Sequence, residues 1–136
     1  MTSRVSIAPS GRSRATLVVL SESLGPAELV AALGPGDRVW AQGDATRPRS
    51  RSRQTFNGWS IESTIDRSKP PQAHVANILP RLERVASQIQ TLQSGGSVSS
   101  VRLWLHLDKP DIGLALDQNT LRSIARVASL EVDIYG

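Results

Sequence analysis

The chain offers acid–base chemistry in few places, because it contains two histidines, His74 and His106, and no cysteine. His106 lies in the alternating run Val101 to Asp108. There Arg102, Trp104, His106 and Asp108 point to one side, and Val101, Leu103, Leu105 and Leu107 to the other. An imidazole that shares a face with a carboxylate, either Glu62 or Asp133, could exchange protons with a substrate. The same face holds the aromatic side chains Trp40, Trp104 and Tyr135, residue types that commonly anchor a bound partner. As a metal set, one histidine with Asp108 and Asp133 on separate strands is weak, so neither a metal nor another cofactor is expected. His74 falls in the first turn of a helical pattern, where a surface position is the ordinary outcome.

A second chemistry is charge. Arg47, Arg49, Arg51 and Arg53 alternate with proline and serine, a spacing that lets guanidinium groups meet successive phosphates. The net charge of +4 resides in two segments, +3 over residues 1–14 and +4 over residues 47–53. Those segments total +7, so the other 115 residues carry −3 and the folded body is mildly acidic. Residues 1–14 and about 45–56 lack apolar periodicity, which predicts a disordered basic arm and a mobile loop flanking or interrupting one domain over 15–136.

Other classes drop out. Without cysteine there are no disulfides, thiolate nucleophiles or cysteine zinc sites. No apolar run approaches the ~20 residues of a membrane span, and Leu17 to Leu20 is too short for a signal peptide, so a cytoplasmic protein is expected. Gly34-Pro35-Gly36 precedes a strand and Gly95-Gly96 ends a helix, so neither forms a phosphate-binding loop. No serine stands in a recognisable nucleophile elbow.

The elements that must position these groups follow from periodicity. Ala15 to Ser21 reads as a buried strand, and Pro26 opens a helix with Leu29, Val30 and Leu33 on one stripe. Arg38 to Gln42 and Trp59 to Ile65 alternate as strands, with Ser60, Glu62 and Thr64 opposite Trp59 and Ile61. The longest helix carries Val75, Ile78, Leu79, Leu82, Val85, Ala86, Ile89 and Leu92, with Pro80 marking a kink or a fresh turn. After the strand at 101–108, Ile112, Leu114 and Leu116 predict a further strand. Leu121, Ile124, Ala125 and Ala128 predict a third helix, and Leu130, Val132 and Ile134 a last strand facing the core.

The order is βαβ, βαβ, βαβ. One-sided strands with only three helices predict an α+β two-layer sandwich, a mostly antiparallel sheet with the helices on one face. The nearest architecture is ferredoxin-like, extended by one unit. Leu82, Ile89, Leu103, Leu105 and Ile134 are the expected core.

Val39-Trp40-Ala41-Gln42-Gly43-Asp44, Asn57 to Ser63, Gly113-Leu114-Ala115-Leu116 and Val132-Asp133-Ile134-Tyr135 together resemble the bacterial family called domain of unknown function 4279 (DUF4279). The likeness runs from Ala15 to Tyr135 and departs from the family in the Arg-Ser loop. It implies a small stand-alone α+β domain and brings no list of catalytic residues with it. A helix-free sheet face with Trp40, Glu62, Arg102, Trp104, His106, Asp133 and Tyr135 predicts a non-catalytic binding protein, immunity-type or accessory, meeting a protein partner or a second copy and no membrane. The alternatives are a nucleic-acid binder gripping phosphate through the arginines, and an unrecognised enzyme centred on His106.

Overall fold

The computed structural model describes residues 12–108 and 114–134. Among the described residues eight elements follow one another: β1 (Ser13–Ser21), α1 (Pro26–Leu33), β2 (Arg38–Trp40), β3 (Asn57–Glu62), α2 (Pro71–Ser94), β4 (Ser100–Leu107), α3 (Gln118–Ala125) and β5 (Ser129–Ile134). The strands form one sheet in the order β2-β3-β1-β4-β5. Every neighbouring pair is antiparallel except β4 with β5, which is parallel. β1 is central because its alternation is complete: Ser13, Ala15, Leu17, Val19 and Ser21 are all buried on one side.

Local chemistry sets the element ends. Pro26 opens α1 with its ring-fixed φ, and Glu28 reaches back to accept the Gly25 N–H at 3.1 Å. α2 runs unbroken through Pro80, which is exposed. It stops in a Schellman motif, with Gly96 at φ +73°, the Ser97 N–H bonded to the Leu92 carbonyl and the Gly96 N–H to that of Gln93. The Asp117 carboxylate caps α3 by accepting the Thr120 N–H at 2.8 Å, which draws its pKa below the ordinary carboxylate value.

All three helices lie on one side of the sheet. The core there joins Leu17 and Val19, Trp59 and Ile61, and Leu103 and Leu105 to Ile78, Leu82 and Ile89 of α2 and Ile124 of α3. This is the expected α+β sandwich, and Leu82, Ile89, Leu103 and Leu105 are buried as the periodicity implied.

Several expectations need correction. Ile134 is 50% exposed and Val132 47%, because β5 is the sheet edge and its helix-side residues are only partly covered. The strand expected around 112–116 is absent among the described residues: Leu114 to Leu116 have no regular structure, and residues 109–113 lie outside them. The third unit is therefore β4-α3-β5, and it reuses β4 in place of a strand of its own. β2 ends at Trp40 instead of Gln42, and β3 ends at Glu62 instead of Ile65.

His74 is not on the surface but 1% exposed. It lies four residues before Ile78 and eight before Leu82, on the stripe α2 turns to the core. Its Nδ1 is 2.7 Å from the Ser63 hydroxyl, which also accepts the Ala15 N–H at 3.0 Å. Which of the hydroxyl and Nδ1 donates follows the imidazole tautomer, and the backbone of Asp66 and Lys69 lies close enough to favour the protonated ring. Burial is the main cause holding the His74 pKa below its ordinary value.

That depression fixes the sign of a pH effect. The unfolded chain takes up the proton first, near pH ~6.5, so the His74 contribution is complete above that value. It is lost as pH falls below it, until the folded imidazole itself protonates. Urea midpoints should therefore drop between about pH 7.5 and 5.5, and His74→Gln should flatten the slope. An unchanged slope would show that the His74 pKa is the same in the folded and unfolded states. His106 shifts in the same direction, so a residual slope in the variant belongs to it.

Candidate functional site

The side of the sheet away from the helices is built in rows by strand register. One row crosses from Glu62 on β3 through Thr16 to Trp104 on β4 and Glu131 on β5. The next joins Arg14, His106 and Asp133. A third runs Arg38, Ser60, Val18, Arg102 and Ser129. Trp40 lies at the far edge, opposite Gly58 and Leu20. The expected residues Glu62, Arg102, Trp104, His106 and Asp133 thus share a neighbourhood, whereas Trp40 is separated from Trp104 by two strands. Tyr135 lies outside the described residues.

Within the patch, Trp104 and His106 stack with ring centroids 6.1 Å apart and planes 18° from parallel. His106 Nδ1 is 3.4 Å from an Asp133 carboxylate oxygen. Arg14 pairs with Glu62 at 3.4 Å, a diagonal cross-strand contact. Burial is the largest influence on His106 and lowers its pKa, the Arg14 charge acts in the same sense, and Asp133 and Glu62 oppose them. The imidazole is therefore neutral at pH 7, and its contact with Asp133 is a hydrogen bond more than an ion pair. Behind the patch, Asp37 accepts the Glu62 N–H at 2.7 Å and holds Arg81 through two contacts of 3.1 and 3.3 Å. The Arg81 hydrogen bond is the main cause drawing the Asp37 pKa down. This clasp ties the end of β3 to α2 and fixes where Glu62 emerges.

Two positions in the patch escape a reading by segment. Arg14 falls within the presumed basic arm, yet it is the second residue of β1. Its signal is the alternation Ser13, Ala15, Leu17 against Arg14, Thr16, Val18. Thr16 Oγ1 and Arg14 Nε are buried there without hydrogen-bond partners among the described residues.

Trp40 has a structural explanation. Its indole covers Gly58 so closely that a Cβ at Gly58 would lie 2.1 Å from the ring. The Arg38 guanidinium stands 6.0 Å over the same ring. Trp40 is thus a cap on a glycine gap in β3.

A cavity of about 640 Å³ opens elsewhere, lined by Arg12, Thr64, Ile65, Asp66, Arg67, Ser68 and Asp108. Among the described residues no group of three or more His, Asp or Glu side chains converges as a metal site. No helix among them is long and apolar enough to cross a membrane.

The family model described as "Domain of unknown function (DUF4279)" matches residues 11–136. The chain belongs to the DUF4279 family. The match takes in every strand that builds the patch of this DUF4279 domain, and it includes the arginine loop at 47–53. Searches of curated proteins and of solved structures each return no match.

Proposed function

We propose that this DUF4279 domain is a non-catalytic binding protein that meets a protein partner with the helix-free side of its sheet. The observation that carries this reading is the Trp104–His106 stack, held between Arg14–Glu62 on one side and Asp133 on the other. Interface hot spots combine a rigid aromatic with surrounding polar groups of both signs, and strand-borne side chains lose little freedom on binding. An immunity-type or accessory role in the bacterial cytoplasm is the finer form of the same proposal, favoured by small size and the lack of a recognisable catalytic motif.

The test is a partner co-purified from the native source, with Trp104→Ala compared to the unaltered protein. Affinity should fall by more than about tenfold, roughly 1.4 kcal/mol, while the thermal midpoint moves little. Unchanged affinity for that partner would remove the sheet face from the interface.

A further inference from the structure

The basic segment between β2 and β3 is a short hairpin in this structure. The Gln54 N–H bonds to the Asp44 carbonyl, the Thr46 N–H to the Ser52 carbonyl, and Ala45 bridges Arg53 in antiparallel fashion. Continuing that register places Arg47 across from Arg51. The tip turns through Pro48 and Arg49, closed by the Ser50 N–H on the Arg47 carbonyl. Arg49 has φ +62°, the sign that the third position of a type II turn requires and that glycine normally supplies. Ser50 Oγ braces the tip by accepting the Ser52 N–H at 3.1 Å.

All four arginines are exposed, and none has an ion-pair partner among the described residues. Residues 45–56 contain no carboxylate. Like charges placed across a ladder repel, so the hairpin concentrates positive charge at a cost that an anionic partner would remove. The sheet also separates charge: the hairpin extends from the β2–β3 side, while Glu131 and Asp133 sit on β5 at the opposite edge.

We infer that this hairpin is a sequence-independent grip for the phosphates of duplex DNA. Three features select that partner. The tip has no aromatic or large aliphatic side chain to anchor a protein, but it carries the exposed Ser52, whose hydroxyl suits a phosphate oxygen, while the Thr46 hydroxyl donates to Ser50 Oγ and braces the tip. A two-stranded ribbon fits the B-form major groove, about 12 Å wide, whereas the A-form RNA major groove is too deep and narrow. Gln54 is the one amide side chain of the hairpin, which leaves little for adenine reading, and phosphate contacts by the arginines supply affinity common to every sequence.

The test uses the full chain, a labelled mixed-sequence DNA duplex, an RNA duplex of equal length and polyglutamate as competitor. Four phosphate contacts predict a slope of log affinity on log salt of about −3.6, a loss of about 150-fold between 50 and 200 mM salt. Replacing Arg47, Arg49, Arg51 and Arg53 by alanine should abolish that slope, and replacing all four by lysine should keep it. Trp104→Ala should leave DNA affinity unchanged, which separates this grip from the sheet-face reading. Salt-insensitive binding, an alanine variant that binds normally, a lysine variant that loses the slope, or equal affinity for the RNA duplex would each overturn the assignment. So would competition by polyglutamate matching that of unlabelled DNA at equal charge.

Discussion

Trp59→Ala should be the most destabilising single truncation in the domain, lowering the unfolding free energy by about 3–5 kcal/mol. Trp59 is 1% exposed, and its Nε1 donates to the Gly34 carbonyl at 2.8 Å. The indole occupies the space left by the α1–β2 turn: a Cβ on Gly36 would lie 2.8 Å from Nε1. It also lines, with Leu33, Ile61 and Val85, a groove of about 430 Å³ between α1 and α2. Truncation would deepen that groove and leave the Gly34 carbonyl at the end of α1 without its donor. Urea unfolding measures the loss, and Trp59→Phe distinguishes its parts. Phenylalanine keeps most of the apolar contact and should cost clearly less than alanine, the remainder reporting the orphaned carbonyl at about 1–3 kcal/mol. Equal costs for the two variants would mean that the hydrogen bond carries the effect, and a neutral alanine would show that the α1–β3 packing is loose.

Leu105→Ala should cost about 2–5 kcal/mol, while Ile134→Ala should cost less than about 1 kcal/mol. Both side chains are aliphatic and both belong to neighbouring parallel strands, with Leu105 paired to Val132 and Leu107 to Ile134. They differ in cover, since Leu105 is fully buried and Ile134 is half exposed. The large-to-small penalty combines lost transfer energy with the cavity left behind, and a side chain already wet on one side leaves no closed cavity. Paired urea titrations give the comparison directly. Similar costs for the two would place β5 under cover and contradict its position as the sheet edge.

Much of the fold was legible because its signals are local. The stripe Val75, Ile78, Leu82, Ile89 and the alternation of Val101 to Leu107 depend on spacing within one element. The same alternation correctly sends Trp104 and His106 to one side of β4. His74 was misplaced on the surface because its residue type was weighed and its position was not: it continues the Ile78–Leu82 stripe. Spacing prevailed because Ser63 lies where it can satisfy Nδ1.

Local spacing and composition therefore suffice for the α+β class, the inward and outward faces of the central strands, and the division of charge between an acidic body and a basic loop. Strand pairing decided the rest. Only the β1–β4 and β4–β5 registers bring Arg14, His106 and Asp133 into one row, with Glu62 diagonal to Arg14. Only the sheet order exposes Val132 and Ile134, and only the Ala45–Arg53 bridge folds the basic segment back on itself. Periodicity reports which way a side chain points within its element. Whether something covers it, and which charge stands across from it, depends on contacts between residues far apart in the chain, which no local spacing encodes.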